Sequence, residues 1–412
     1  MTIDEVAEQT ARTAKAGPLD GMRILDLTTF LSGPFCSQIL GDLGAEIIKV
    51  ESPEGGDSSR GIPPHFVGED SVYYLGNNRN KRSVAINLKS AAGLSLLKDL
   101  IAKSDVVVEN FRPGVLARIG IDIQKIRAAD PRLIWVSISG FGQHGPWSAL
   151  PAYDMIVQAL SGVMSLTGEP GRPAMRLGIP AGDLVAGMYA VIGMLAARTD
   201  QIATGIGRTV DISMLDCQLS MLSYQSAYVL AGAPAPGRQG ARHDSIPTYR
   251  SFIAGDGEEL VITANTDRMW RGLCEVLGLT GLPDDPRFKD GQARLRNRDS
   301  LWPILEKSFI GNTARYWVDR LMSNGVPAAL VKSVPEALAD AERGERDMIV
   351  SMRSSEGHTI RVVGDPIKFS GDRIRDHQYP PRLGEHTEEV LRERLGLNEA
   401  RIAALRDAKV IN

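Results

Sequence analysis

Between Arg23 and Val50 the chain reads as a strand (RILDL), a turn (TTFLSGP), a helical stretch from Phe35 to Leu43 that stops at Gly44, and a second strand (EIIKV). Two strands joined by a helix pair in parallel and cross over right-handedly, which removes most alternative topologies. The alternation continues with a strand at Ser83–Asn87, a helix at Ala91–Lys103, a strand at Asp105–Glu109, a helix near Ile121–Ala128 and a strand at Leu133–Ile138. The pattern predicts an α/β fold with a Rossmann-like, doubly wound parallel sheet. Such sheets bind ligands at the carboxyl ends of their strands, here the loops TTFLSGP, NFRPG and SGFGQHGP. No GxGxxG or GxxxxGK[ST] follows a strand, which argues against a dinucleotide or a P-loop nucleotide.

The chain is longer than one ordinary domain at 412 residues. Residues 1–17 are polar and alanine-rich and are expected to form a frayed leader. A large domain over 18–230 is followed by a Gly-, Pro- and Ala-rich linker or lid at 231–248. Next comes a smaller α+β domain at 249–332, opened by a hairpin pairing Tyr249–Ala254 with Glu259–Ala264. Residues 333–412 are expected to return to the large domain. Lys and Arg (47) are outnumbered by Asp and Glu (50), so bulk charge gives no reason to expect nucleic acid. Cys36, Cys217 and Cys274 are far apart and lack metal-ligand spacing, and they read as reduced thiols of a cytoplasmic protein. The isolated histidines support no metal site. The longest apolar run, Leu184–Ala197, is too short to span a bilayer and is expected to be a core helix buried on nearly every side, with no membrane partner.

Chemistry is expected in Pro151–Gly187, where Asp154 and Asp183 each stand at the start of an apolar helical pattern. A carboxylate there faces backbone N–H groups and the positive end of the helix dipole, an environment that suits a nucleophile. Asp is also a good N-cap, and the local pattern leaves both readings open. Arg79, Lys81 and Arg82 in GNNRNKRS, together with Arg112 and Arg118, read either as solvated surface or as a phosphate site. His386 in GEHT reads as a helix cap, a surface residue or a catalytic group.

The segments PLDGMRILDLTTFLSGPFCSQILGDLGAEIIKVE, NRNKRSVAINLK, DVVVENFRPGVLARIG, YDMIVQALSG, AGDLVAGMYAVIGMLAA, GRTVDISMLD and LGEHTEEVL together resemble the class III CoA-transferases. This family includes formyl-CoA transferase, the carnitine CoA-transferase and the related α-methylacyl-CoA racemase. The resemblance implies a large domain built from both chain ends and an interlocked homodimer. It implies an acyl-CoA and a free carboxylic acid as substrates, with no permanently bound cofactor. The family's catalytic aspartate falls on Asp183, with Asp154 and Tyr153 in support. Its coenzyme A contacts fall on Ile86, Leu88, Lys89, Asn110, Phe111 and Arg118. The implied route passes through an aspartyl-CoA thioester. Racemases of the family carry a histidine where this chain has Tyr153, which favours transfer over racemisation. A non-catalytic CoA-ester-binding protein is the third reading. Formyl-CoA transferase has a glutamine at the position of Leu31 and a tryptophan at that of Ile62, so a less polar pocket for a larger acid than formate or oxalate is expected. Gly237–Gly240 is a candidate lid, and Arg238 and Arg242 either receive a second carboxylate or face solvent.

Overall fold

The structure, a computed structural model, describes residues 17–370 and 377–412; the expected leader, up to Ala16, lies outside the described residues. Six strands form the main sheet: β1 (Arg23–Asp26), β2 (Glu46–Glu51), β3 (Lys81–Ala85), β4 (Val106–Glu109), β5 (Ile134–Ser139) and β6 (Thr209–Ser213). All pair in parallel in the order β3-β2-β1-β4-β5-β6. The order reverses between β1 and β4, so the crevice at their carboxyl ends is the place where such a sheet takes a ligand.

The sheet is apolar on both faces because helices cover both. One face carries Ile24, Ile47, Val106, Val108, Ile134 and Val136 against helices α1 (Ser32–Asp42) and α4 (Ala181–Thr204). The other carries Leu25, Ile48, Val107 and Trp135 against α2 (Ala91–Ile101) and the C-terminal helices Thr387–Leu395 and Glu399–Asp407. The two remaining helices near the crevice are α3 (Asp154–Leu160) and α5 (Met214–Met221).

Helix α4 departs from expectation in two ways. It runs for 24 residues, long and apolar enough by length and composition to cross a membrane, so the length argument against a span fails. Nor is it buried all round. Ala186, Gly187, Ala190 and Met194 are buried against α1 and the sheet, whereas Met188, Tyr189 and Ile192 are exposed. Gly187 permits the contact with α1, since a Cβ there would stand 2.8 Å from the Ser32 carbonyl oxygen. The single helix expected over Met214–Leu230 is broken into α5 and Tyr224–Leu230, with Ser223 at φ 49° between them.

The chain divides into two units. The first takes the residues up to Val163, then Arg176–Gly232 and Gly344–Asn412; the second takes Met164–Met175 and Ala233–Arg343. The division differs from the expected boundaries in two places. Met164–Met175 leaves the large domain because Glu169 pairs with Arg242 and the Gly168 carbonyl accepts the Gly240 N–H at 2.9 Å. The second unit also runs past residue 332 through the helix Val334–Arg343, which Lys332 joins by pairing with Asp340. This unit holds a three-stranded antiparallel sheet, in the order Ala328–Leu330, Glu259–Thr263, Tyr249–Ile253, packed on Trp270, Phe288, Phe309 and Trp317.

Candidate active site

Asp183 is the third residue of α4, and it does not cap its own helix. Pro180 at the N-cap supplies no side-chain bond. The cap comes from elsewhere: Asp154 Oδ1 accepts the Gly182 N–H at 2.7 Å, and its Oδ2 accepts from Gln158 Nε2 at 2.7 Å. Gln158 Oε1 in turn takes the Leu177 N–H at 2.8 Å, which draws the approach to α4 onto α3. Gly182 leaves the room this needs, since a Cβ would stand 3.0 Å from Asp154 Oδ1 and 3.2 Å from Gln218 Nε2. Capping therefore belongs to Asp154, and the Asp183 carboxylate is left for other work. Burial, then the negative charge of Asp154, pushes Asp183 up to about 7, while a hydrogen bond from the Ser32 hydroxyl works in the opposite direction.

Ser32 arrives from the loop after β1, where side chains hold three successive N–H groups. Asp26 Oδ1 accepts the Thr28 N–H at 2.8 Å, Asn110 Oδ1 the Thr29 N–H at 2.9 Å, and Asp57 Oδ1 the Phe30 N–H at 3.1 Å. Phe30 sits at φ 64°, a left-handed conformation costly for a non-glycine residue and held here by these bonds. Beneath the loop lies a buried ionic network in which Lys49 pairs with Asp57 at 2.9 Å and Lys81 with Asp26 at 3.1 Å. Burial alone would raise the Asp26 carboxyl, but Lys81 and Lys49 outweigh it and bring it down to about 2. Tyr73 faces the same charges. Burial, then Asp183, Asp57 and Asp154, pushes its phenol up to about 12, so it stays a hydrogen-bond donor.

The residues expected to contact coenzyme A divide by environment. Asn110 clamps the crevice, its Nδ2 donating to the Thr29 carbonyl at 2.8 Å as its Oδ1 takes the Thr29 N–H. The Phe111 N–H donates to Glu109 Oε2 at 2.9 Å, and burial pushes that carboxyl up to about 7. Leu88 and Phe111 pack at the edge of one core cluster, and Ile86 is wholly buried within it. Lys89 is exposed and pairs with Glu54 at 3.2 Å, and Arg118 is exposed on the short helix Val115–Arg118.

The GNNRNKRS cations form no phosphate site, because each is spent inside the fold. Arg79 pairs with Asp42 at 2.6 Å, Lys81 with Asp26, and Arg82 with Glu46, Glu389 and Glu393. Tyr153 is the N-cap residue of α3 and is 65% exposed. His386 stands at the start of Thr387–Leu395 without a side-chain cap bond, and its Nδ1 accepts the Ser83 N–H at 3.3 Å. Arg242 pairs with Glu169 and lies over the Trp302 ring, whereas Arg238 has a buried Nε with no hydrogen-bond partner among the described residues. Among the described residues, no group of three or more His, Cys, Asp or Glu is placed to hold a metal ion.

Sequence reasoning missed Ser32, Tyr73 and Asp57. Ser32 lay in a loop already marked as a strand end, TTFLSGP, and that was its signal. Tyr73 and Asp57 had none, since only the tertiary fold brings 57–73 to the mouth of α4.

The model of CoA-transferase family III matches residues 19–387. The human succinyl-CoA:glutarate CoA-transferase is 36% identical over 395 residues, covering 96% of this chain and 90% of the relative. The acetyl-CoA:oxalate CoA-transferase of Acetobacter aceti is 38% identical over 379 residues, 92% of this chain and 96% of the relative. The crystal structure of a CAIB/BAIF family protein from Brucella suis superposes with a TM-score of 0.82 at 34% identity, covering 92% of this chain and all of that one.

Proposed function

This chain belongs to CoA-transferase family III, and from that premise we propose that it moves coenzyme A between dicarboxylic acids with Asp183 as the nucleophile. The observation that carries the reading is the Asp183 carboxylate, uncommitted in the first turn of α4 because Asp154 does the capping. The Asp183 carboxylate attacks the donor thioester carbonyl and expels CoA thiolate, leaving a mixed anhydride. The thiolate attacks the aspartyl carbonyl of that anhydride and expels the donor acid, leaving an aspartyl-CoA thioester. The acceptor carboxylate then attacks the same aspartyl carbonyl, expelling thiolate, and the thiolate takes the acceptor's acyl group and frees Asp183. No net proton is consumed. Leu88, Lys89, Asn110, Phe111 and Arg118 hold the coenzyme, with Ile86, whose side chain is wholly buried, able to contribute only its backbone, and Tyr153 stands at the rim beside Asp154.

A dicarboxylic pair such as succinate and glutarate is supported by the 36% identical human relative and by the apolar Leu31 and Ile62. The relative named for oxalate makes the short diacid the competitor to exclude. Racemisation would need Asp154 as a second base, whereas here its carboxylate serves as the cap of α4 and the anchor of Gln158. A homodimer is supported by the exposed apolar face of Met188, Tyr189, Ile192, Leu219 and Met221 on α4 and α5, and by the family resemblance for its interlocked form. A cytoplasmic setting is supported by three buried free cysteines.

The test is incubation with succinyl-CoA and a panel of free acids in D₂O, reading every CoA ester by mass spectrometry. A new ester from glutarate or another long diacid is expected. Oxalyl-CoA as the main product would overturn the substrate class, and an unchanged ester carrying one α-deuterium would overturn transfer.

A further inference from the structure

Arg242 and Arg250 stand opposite one another across an antiparallel bridge, where residues 241–243 border the strand Tyr249–Ile253. Like charges in that relation repel. A third guanidinium, Arg298, joins them from the start of the helix Arg298–Phe309. The Cζ atoms of Arg242, Arg250 and Arg298 lie 5.3, 5.1 and 5.7 Å from the centre of one ring, the indole of Trp302. That ring is fixed by its Nε1, which donates to the Pro247 carbonyl at 2.9 Å. An aromatic face offsets part of the repulsion, but the carboxylates that would offset the rest are few and open to water. Arg250 pairs with Glu306 at 2.8 Å, and the Glu306 side chain is 50% exposed. Arg242 meets Glu169 only at 3.4 Å, and the Glu169 side chain is 62% exposed. Ion pairs so open to solvent contribute little. Among the described residues Arg298 pairs with no carboxylate, its Nη1 donating to the Asp244 carbonyl at 3.4 Å, and the buried Arg250 Nη1 finds no acceptor. Burial outweighs Glu306 and holds the Arg250 guanidinium below its usual range, with the charge of Arg242 acting in the same direction.

We propose that Arg242, Arg250 and Arg298, gathered on Trp302, form a binding site in the second unit for a carboxylate of a small dicarboxylic acid. The inference rests on the dicarboxylic reading of the substrate and adds the residues that recognise such an acid. A guanidinium presents its N–H groups as a planar fork that matches a carboxylate in two parallel hydrogen bonds. An entering carboxylate supplies both the acceptors and the negative charge that this cluster lacks. Glu169 marks the approach, because its own carboxylate already touches Arg242. The contact is longer than a settled hydrogen bond, so an incoming carboxylate displaces only a weak partner. A phosphate group would satisfy the same donors, and it is the competitor to exclude.

The test is calorimetric titration of glutarate into the full chain in the absence of any CoA ester, with inorganic phosphate as the second probe. Glutarate should bind, and Arg242→Gln and Arg298→Gln should each raise its Kd about tenfold or more, the loss expected for charge-assisted hydrogen bonds. Glu169→Gln should move the Kd the other way, because it removes the competing carboxylate. Shifts of opposite sign cannot both come from poor folding. The proposal is overturned if the native chain binds no glutarate, if both arginine variants keep the native Kd, or if Glu169→Gln binds glutarate more weakly. Inorganic phosphate that binds more tightly than glutarate and is lost in the same arginine variants would overturn it too, assigning the cluster to a phosphate group. The site and the function fail separately, since transfer is read from CoA esters and this site without them. A chain that moves CoA to a diacid while its arginine variants keep the native glutarate Kd loses the site and keeps the function. One whose arginine variants lose glutarate, while no diacid receives CoA, loses the function and keeps the site.

Discussion

The Asp154 carboxylate accepts the Gly182 N–H at 2.7 Å, so a side chain from α3 starts the helix that carries Asp183 one residue later. One group thus sets both the position and the charge environment of the other. It holds the helix mouth in place, and its negative charge is the second-largest cause of the raised Asp183 pKa after burial.

Removing the Asp154 cap and removing its charge should be separable. Asp154→Ala loses the acceptor for Gly182 and should cost about 1–2 kcal/mol in a denaturant titration. Asp154→Asn keeps an acceptor oxygen and removes the charge, so the acidic limb of activity should move to lower pH. An Asn variant whose limb stays in place would show that the charge does not matter.

A nucleophilic Asp183 must be ionised, and with its carboxyl raised to about 7 the rate of thioester formation should rise with pH through neutrality and then level off. Stability runs the other way. An acid with a raised native pKa binds more protons folded than unfolded between about pH 4 and 7, so stability falls over that window. Asp183→Asn should abolish turnover and, at pH 8, stabilise the fold by on the order of 3 kcal/mol. Unfolding midpoints at pH 5 and pH 8 would check the sign, because the gain should shrink at the lower pH.

Gly187→Ala should force α1 and α4 apart at Ser32, because the new methyl would meet the Ser32 carbonyl at 2.8 Å. The expected cost is about 1–3 kcal/mol in stability, with a loss of kcat larger than any change in KM. Gly178→Ala, which meets nothing within 4 Å, is the control that should leave both unchanged.

Lys89 and Arg79 should behave as opposites although both were candidates for an anionic ligand. Lys89→Ala removes an exposed cation and should raise KM for the CoA ester several-fold with little change in melting temperature. Arg79→Ala removes the bidentate partner of the buried Asp42 and leaves it Asn80 and His377, so it should destabilise by about 2 kcal/mol, while the KM of the folded fraction stays the same. Thermal melts and steady-state kinetics on the two variants decide it.

The sequence by itself determined the parallel sheet, because strand and helix periodicities alternate at spacings that permit little else. It also carried the family through ordered segments from Pro18 to Leu391, and it singled out Asp154 and Asp183 as helix-start carboxylates. It could not divide capping from catalysis between those two aspartates. That division depends on a contact between residues 28 positions apart, Asp154 and Gly182. The basic run Arg79–Arg82 shows the same limit, since charge is visible in sequence while its partners come from elsewhere, Asp26 and Glu46 through pairing of β1, β2 and β3 and Asp42 from the end of α1. Local periodicity reports which side of an element is apolar. Only the packed fold decides which polar groups that packing brings face to face, and in this chain those meetings place Asp154 against the start of the helix that carries Asp183.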